Sequence, residues 1–183
     1  MMRFLDIVLS FTGLAVSSPL QLLILVIGLF DTGSPIFRQV RVGRHQQPFT
    51  LVKFRTMHRN TPSVATHFAI ASAITPFGHF LRRSKLDELP QLWNVLKGEM
   101  SLVGPRPCLL TQEELIRERM KRNVFAKRPG ITGLAQLQGI DMSTPVKLAE
   151  TDQKMQSELT LKNYLYYIIL TGLGKGSGDR IKG

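Results

Sequence analysis

A long apolar segment near the start of the chain limits its possible folds more than any other feature. Residues from Phe4 to Phe30 are mostly apolar, and this run exceeds the ~20 residues that a helix needs to cross a bilayer. Asp6 is charged, however, and Ser17-Ser18-Pro19 interrupts the run near its middle. Because proline lacks a backbone N–H, the interruption leaves two arms that are each too short to span. The segment therefore predicts either a spanning helix or a bent, re-entrant one.

A retained membrane anchor fits this segment better than a cleaved signal peptide. The apolar run continues well past a cleavage point near Ala15. Basic residues then crowd the downstream flank at Arg38, Arg41, Arg44, Lys53 and Arg55. By the positive-inside tendency, the body that follows the anchor is expected in the cytoplasm.

The size and charge of the chain narrow the class of protein. Its 183 residues suffice for one domain with a core. The net charge of +11 indicates an anionic partner: a lipid surface, a nucleic acid or a phosphorylated substrate. The single cysteine, Cys108, excludes an internal disulfide and a multi-cysteine metal site. The four histidines show no close pair at metal-ligand spacing.

After the anchor, alternating apolar residues predict a small β-hairpin. We expect strands from Ile36 to Val42 and from Phe49 to Met57. On the second strand a period of two places Lys53 and Arg55 on one face. The two cations would make a phosphate clamp, or they are charges that protect a strand edge against aggregation.

Adjacent carboxylates, Asp87 and Glu88, stand at an expected helix start. Pro90 is tolerated in a first turn, so the helix is predicted to begin near Asp87 and to end at Lys97-Gly98. Asp87 would then be an ordinary N-cap, or a nucleophile for phosphorus in a field that also attracts phosphate.

The remaining segments predict a mainly helical body. A helical stretch opens at Pro76, and Thr111 begins a capping-box match ahead of a stripe at Ile116, Met120 and Val124. Flanking prolines in residues 104–107 restrict the backbone around Arg106. A Pro-Gly turn in residues 127–133 precedes a predicted strand over residues 134–137.

Three further segments complete the expected organisation. Thr144-Pro145 predicts a helix to about Leu159. The apolar, aromatic residues 164–170 suit either the bilayer interface or the core. Residues 60–75 are expected to form a mobile loop over the site, and the glycine-rich residues 174–183 a flexible tail.

Taken together, these segments resemble the bacterial sugar transferase family, specifically the small monotopic polyprenyl-phosphate phosphoglycosyl transferases. The resemblance runs from the anchor to about Thr151 and comprises several ordered motifs. They are Ser18-Pro19, Lys53-Phe54-Arg55-Thr56-Met57, Leu86-Asp87-Glu88-Leu89-Pro90-Gln91-Leu92, Gly98-Glu99-Met100-Ser101, Gly104-Pro105-Arg106-Pro107 and Arg128-Pro129-Gly130-Ile131-Thr132-Gly133.

This resemblance implies an α+β fold: a mainly helical membrane-associated domain with a small β-hairpin or sheet and interfacial amphipathic helices. Residues 1–32 would form a re-entrant helix bent at Ser18-Pro19, residues 33–173 the cytoplasmic catalytic domain and residues 174–183 the tail. The implied location is the bacterial inner membrane, with monotopic topology and an active site that faces the cytoplasm.

The implied activity is transfer of a phospho-sugar from a UDP-sugar to undecaprenyl phosphate, with release of UMP. By this resemblance the sugar is expected to be of the N-acetylhexosamine type. Asp87 would form a covalent phospho-sugar intermediate, Asp87 and Glu88 would hold Mg²⁺, and phosphate groups would meet Lys53, Arg55, Arg82, Arg106 and Arg128. UDP-sugar, undecaprenyl phosphate and membrane lipids are the implied partners.

The chain departs from the family pattern after its Gly-Ile-Thr-Gly turn, where it reads Gln138-Gly139-Ile140-Asp141 instead of an Asn-rich segment. A second interpretation is a non-catalytic, basic membrane-surface protein whose acids cap helices. Nucleic-acid binding is a third, but the apolar anchor and the absence of a basic-aromatic motif speak against it.

Overall fold

The computed structural model describes residues 1–59, 61 and 71–176. Most of the expected loop over residues 60–75 and the tail after residue 176 lie outside the described residues. The fold is α+β, as the sequence predicts, with a helical body and small sheets. The helices are α1 Met2–Thr32, α2 Pro76–Ser84, α3 Gln91–Lys97, α4 Glu113–Lys121, α5 Leu134–Leu137, α6 Pro145–Ser157 and α7 Leu161–Gly172. The strands are β1 Ile36–Val42, β2 Pro48–Phe54, β3 Ser101–Val103 and β4 Gly130–Thr132.

Helix α1 continues through Pro19 without a non-helical residue. Pro19 cannot donate to the Ala15 carbonyl, which lies four residues before it. The Ser18 hydroxyl donates to that carbonyl instead, at 2.8 Å. The serine thus offers a partner to the acceptor that the proline leaves open, and the re-entrant path of the segment stays a prediction.

The charge within the apolar segment, Asp6, anchors α1 to the body of the protein. Its side chain is 3% exposed. Oδ1 accepts hydrogen bonds from the Ser101 hydroxyl at 2.9 Å, the Leu102 N–H at 2.8 Å and the Tyr164 hydroxyl at 2.7 Å. A buried carboxylate needs such donors, because burial without them is costly. Asp6 therefore joins the start of α1 to β3 and α7.

The predicted hairpin is confirmed, with β1 antiparallel to β2. Gln39 pairs with Leu51 and Arg41 with Phe49, so the odd-numbered residues of both strands share one face. The second strand is shorter than predicted because it ends at Phe54. The alternation therefore stops before Arg55, whose backbone N–H donates to Pro35 O at 2.7 Å.

The prediction for residues 130–137 is wrong. Residues Gly130–Thr132, which we interpreted as part of a turn, form β4 parallel to β3, and Leu134–Leu137 form α5 rather than a strand. The cause is a close contact with Gly104: a Cβ atom on Gly130 would stand 2.0 Å from Gly104 N. The glycines serve backbone packing here, and not a reverse turn.

The capping box predicted at Thr111 does not form. Helix α4 begins at Glu113 after Gln112, which makes no side-chain capping bond. The side chain of Gln112 instead accepts a hydrogen bond from Leu109 N at 2.8 Å. The stripe also ends early, since Val124 lies in a separate single-turn 3-10 helix.

The two interpretations of residues 164–170 concern different faces of α7. Tyr164 and Tyr167 are buried in the main core with Val95, Met100 and Val103. On the other side of the helix, Leu165, Tyr166 and Ile169 are exposed. Core packing is confirmed for the tyrosine face, and the interfacial role of the exposed face stays a prediction.

Candidate active site

Asp87 lies in a single 3-10 turn, Leu86–Glu88, between α2 and α3. The prediction that it caps a helix is wrong, because α3 begins at Gln91 with Pro90 in the capping position. Pro90 has no N–H for the Leu86 carbonyl, which accepts from Leu89 N at 3.2 Å instead. The tighter turn places Asp87 ahead of the helix, and its side chain is buried, with 6% exposure.

Glu88, the next residue, accepts hydrogen bonds from two cations with the same oxygen. Lys53 Nζ lies 3.1 Å from Glu88 Oε1, and an Arg106 nitrogen lies 3.4 Å from it. The three side chains are largely shielded, with exposures of 11–22%. The structure thus brings together three of the residues that the sequence nominated.

These residues line a pocket, open to solvent, on the side of the hairpin, which we call the hairpin-side cavity. Two of its cations, Arg41 and Lys53, come from the shared face of β1 and β2. Its lining comprises Arg41, Leu51, Lys53, Glu88, Gln91, Arg106, Pro107, Gly130 and Ile131. With three cations and one carboxylate, the cavity favours an anionic ligand.

A second open pocket, the α7-side cavity, shares Glu88, Arg106 and Ile131 with the first. Its other lining residues are Lys85, Thr132, Gln136, Leu137, Thr171, Lys175 and Gly176. Burial lowers the pKa of Lys85, and the nearby Glu88 carboxylate partly offsets this effect. Uncharged hydrogen-bonding groups are more prominent in this lining than in the hairpin-side cavity.

The backbone at Arg106 is held by a buried ion pair that the sequence analysis missed. Arg119 donates to Arg106 O at 2.8 Å and to Asp152 Oδ2 at 2.7 and 2.9 Å. The side chains of Arg119 and Asp152 are each 1% exposed. Helices α4 and α6 are therefore tied to the same loop that presents Arg106 to both cavities.

Arg55 and Arg128 turn toward backbone carbonyls. Arg55 Nε donates to Ser34 O at 2.8 Å, and its guanidinium lies over the Phe37 ring at 5.4 Å. Arg128 Nε donates to Gly98 O at 2.7 Å. Burial lowers the pKa of both guanidinium groups, and neighbouring cations lower it further. Their phosphate-binding roles stay predictions.

Arg82 is positioned by Thr56, whose hydroxyl accepts from Arg82 Nε at 2.8 Å. Its buried Nη1 has no hydrogen-bond partner within the described part of the chain. Arg82 lies two residues before the end of α2 and five before Asp87, so this donor is available near the Asp87 turn. A role in phosphate binding remains a prediction for this arginine too.

Arg41, Lys85 and Gln91 line the cavities but were not nominated from the sequence. The signal for Arg41 was available, because a hairpin of fixed register places it on the face of Lys53. Nothing local marks Gln91 as buried, since a glutamine in a first helical turn is ordinarily exposed.

The carboxylates at this site limit how Mg²⁺ could be held. Among residues 1–59, 61 and 71–176 there is no group of three or more histidine, cysteine or acidic side chains that could hold a metal. Mg²⁺ in phosphoryl-transfer sites is often held by one or two carboxylates together with substrate phosphates. The adjacent carboxylates Asp87 and Glu88 fit that pattern and do not fit an all-protein cage.

Comparison with known proteins identifies related chains. A family model described as "Bacterial sugar transferase" matches residues 1–174. An uncharacterised sugar transferase, EpsL, of Bacillus subtilis is 40% identical over 82% of this chain. A UDP-glucose:undecaprenyl-phosphate glucose-1-phosphate transferase of Caulobacter vibrioides is 42% identical over 75% of it. An undecaprenyl-phosphate galactose phosphotransferase of Salmonella typhimurium is 40% identical over 79%.

The relatives differ from this chain in length. The matched region covers 74% of the Bacillus protein, 54% of the Caulobacter protein and 34% of the Salmonella protein. The chain therefore spans about half or less of the two relatives whose names state a substrate.

Proposed function

Because the chain belongs to the bacterial sugar transferase family, we propose that it transfers a phospho-sugar from a UDP-sugar to undecaprenyl phosphate and releases UMP. The observation that carries the proposal is the buried Asp87 in one turn with Glu88, which Lys53 and Arg106 contact. Relatives named for transfer from UDP-glucose and for galactose transfer support the reaction class.

The proposed first step uses Asp87 as the nucleophile. An oxygen of its carboxylate bonds to the β-phosphorus of the UDP-sugar, and the bond from that phosphorus to the bridging oxygen breaks. The bridging oxygen leaves with the electron pair as part of UMP. Covalent catalysis of this kind divides one transfer between two large substrates into two smaller steps.

The proposed second step returns the enzyme to its starting state. A phosphate oxygen of undecaprenyl phosphate bonds to the phosphorus held by Asp87, and the bond from Asp87 to phosphorus breaks. The carboxylate is thereby regenerated, and the sugar remains linked to the lipid through a diphosphate.

The cations of the hairpin-side cavity are proposed to stabilise phosphate charge in both steps. Phosphoryl transfer depends mainly on positioning and on charge stabilisation. Lys53 and Arg106 are held by Glu88 in this structure and lie at the side of the Asp87 turn. We propose that they bind the phosphate oxygens and orient the phosphorus toward Asp87.

Magnesium is part of the proposal, held by Asp87 and Glu88 together with substrate phosphates. When bound, it would offset diphosphate charge. Without substrate, Glu88 contacts Lys53 and Arg106 and so keeps both cations next to the two carboxylates.

We also propose that the protein is monotopic, in the bacterial inner membrane, with the site in the cytoplasm. Helix α1 is long and apolar enough to cross a membrane, and only 11% of its most apolar window is buried in the protein. Both ends nevertheless contact the body: Arg3 donates to Val95 O at 2.7 Å, and Asp31 accepts from the Thr75 hydroxyl at 2.7 Å. These contacts support ends that lie on the same side as the body.

The test is UMP release by the detergent-solubilised protein with undecaprenyl phosphate and Mg²⁺. The panel of donors contains UDP-glucose, UDP-galactose and UDP-N-acetylhexosamines, because the expected N-acetylhexosamine and the sugars of the relatives differ. We expect UMP from at least one donor and loss of turnover in Asp87→Asn, which removes the nucleophilic charge while keeping the size.

A matched control is Glu114→Gln, which changes an exposed carboxylate on α4 to an amide. It should release UMP at the wild-type rate. Equal UMP release by Asp87→Asn and wild type would contradict the proposed nucleophile. A covalent adduct on Asp87, found by mass spectrometry after reaction with the donor alone, would support the two-step route.

A further inference from the structure

Gln91 is a buried polar residue for which the proposed reaction has so far no use. It is the first residue of α3, is 3% exposed and lines the hairpin-side cavity. Its Nε2 has no hydrogen-bond partner within the described part of the chain. An unpartnered buried donor destabilises a folded protein, so such groups call for an explanation.

The surroundings of Gln91 indicate what could satisfy this donor. Arg41, Lys53 and Arg106 line the same cavity, and Glu88 is its carboxylate. The cavity thus already favours an anion, and an amide N–H adds a directed donor for one of the anion's oxygens.

The donor of Gln91 also differs from those of the nearby cations. Lys53 and Arg106 each contact Glu88, so a phosphate must compete with that carboxylate for them. The amide of Gln91 is neutral, and its Nε2 is not occupied by such a contact. A ligand oxygen can therefore accept from Nε2 without displacing another acceptor.

We propose that Gln91 binds a non-bridging phosphoryl oxygen of the substrate through Nε2 in the hairpin-side cavity. The inference rests on the proposed function for the identity of the substrate. The phosphoryl group can come from the UDP-sugar or from undecaprenyl phosphate, and the kinetics below separate these sources.

The first variant is Gln91→Met, which retains a side chain of similar length and removes the amide. Its matched control is Gln153→Met, at an exposed position of α6. We measure the melting temperature with and without inorganic pyrophosphate, and then kcat and KM for each substrate. The pyrophosphate measurement requires no turnover, so it remains informative even if the proposed reaction is wrong.

We expect Gln91→Met to melt at or above the wild-type temperature, because it removes an unpartnered buried donor. Its stabilisation by pyrophosphate should be smaller, and kcat/KM should fall roughly 10-fold, about 1.4 kcal/mol. A higher KM for the UDP-sugar alone assigns Gln91 to the donor phosphate, and a higher KM for undecaprenyl phosphate alone assigns it to the lipid phosphate. The Gln153→Met control should match wild type.

A second variant, Gln91→Glu, is expected to change the melting temperature and the pyrophosphate shift in opposite directions. Its carboxylate would contact the same cations and raise the melting temperature, yet it would repel pyrophosphate and abolish the ligand-dependent shift. A full pyrophosphate shift in both variants would overturn the inference, as would a lower melting temperature of Gln91→Met with unchanged KM values. Loss of the shift in a protein that releases no UMP would uphold the anion site and count against the proposed reaction.

Discussion

Asp87 and Glu88 are neighbours in sequence but have different surroundings. Asp87 is 6% exposed in the turn before α3, whereas Glu88 lies between the two cavities and contacts Lys53 and Arg106. This difference supports different proposed roles: Asp87 attacks phosphorus, and Glu88 holds the cations in place before substrate binds. Two neighbouring carboxylates can thus serve separate roles because their surroundings differ.

At the scale of single residues, the paired N–H donors of the Arg106 guanidinium group, its fork, can be tested by substitution. Arg106→Lys keeps the positive charge but loses the planar pair of donors that suits phosphate. We expect kcat/KM for the UDP-sugar to fall roughly 10-fold, since a hydrogen bond to a charged group contributes about 1.5–3 kcal/mol. Steady-state kinetics measure this.

The control for that experiment is Arg117→Lys, at an exposed position of α4. It should leave kcat/KM unchanged. If Arg106→Lys also retained wild-type kcat/KM, point charge alone would be sufficient at this position and the proposed fork would be wrong.

At the scale of elements, the site depends on helices that contribute no side chain to the cavities. Helices α4 and α6 meet through Arg119 and Asp152, and Arg119 also donates to the carbonyl of Arg106. On the other side of the site, Asn94 of α3 accepts from Val52 N at 3.1 Å and donates to Thr50 O at 2.7 Å. The Arg119 contacts hold the Arg106 loop against α4 and α6, and the Asn94 contacts hold the hairpin against α3, the helix that follows the Asp87 turn.

The buried ion pair gives the prediction at this scale. Asp152→Ala leaves the Arg119 guanidinium buried without its carboxylate, and such a loss costs about 3–5 kcal/mol of unfolding free energy. We expect thermal or chemical unfolding to show this loss, together with a lower kcat/KM because the Arg106 loop is less well held.

A double variant separates stability from positioning. Arg119→Met with Asp152→Leu replaces both charges by apolar groups of similar size, so much of the unfolding free energy should return. The carbonyl of Arg106 would still lack its donor, and kcat/KM should remain low. Full recovery of kcat/KM in the double variant would contradict a positioning role for Arg119.

At the scale of the whole molecule, α1 joins an apolar surface to a polar body. Large apolar side chains such as Phe11, Val16 and Phe30 are at least 66% exposed, which suits a lipid environment. Ile24 packs with Phe54 and Leu81 near the other end of the same helix. The body therefore contacts α1 on either side of Pro19.

Membrane topology is the prediction at this scale. Single cysteines introduced by Met2→Cys and Val40→Cys should label from the same, cytoplasmic side of sealed vesicles, because both ends of α1 contact the body. The native Cys108 provides the background control: it is 0% exposed, and burial raises the pKa of its thiol. It should therefore stay unlabelled until the protein is denatured. Labelling of positions 2 and 40 from opposite sides would show that the segment spans.

The sequence by itself determined the elements whose signals are local. The alternation of residues 36–42 predicted β1 at its observed bounds. Thr75-Pro76 and Thr144-Pro145 stand at the starts of α2 and α6, and Gly98 ends α3 with a φ of 86°. These signals need only a residue and its neighbours within a turn or two, because backbone conformation and capping act at that range.

Sequence motifs were sufficient to nominate Lys53, Glu88 and Arg106 as site residues. Their contacts with one another could be known only from the tertiary structure. Arg41 was missed because strand register decides that it faces the cavity, and Gln91 because its burial depends on packing against distant segments. The expected cap at Asp87 failed because the hydrogen bonds around Pro90 form a tighter turn than the assumed helix start.

Only the tertiary structure decided the contacts between distant segments. Residues 130–132, which the sequence analysis interpreted as part of a turn, form a parallel strand because Gly104 and Gly130 allow the two backbones to approach closely. Asp6, the acidic residue within the apolar segment, accepts hydrogen bonds from donors that are 95–158 residues away in sequence. The sequence states which groups need a partner once they are buried, because charge and hydrogen-bonding capacity are properties of single residues. Which partner each one meets follows from the packing of the whole chain.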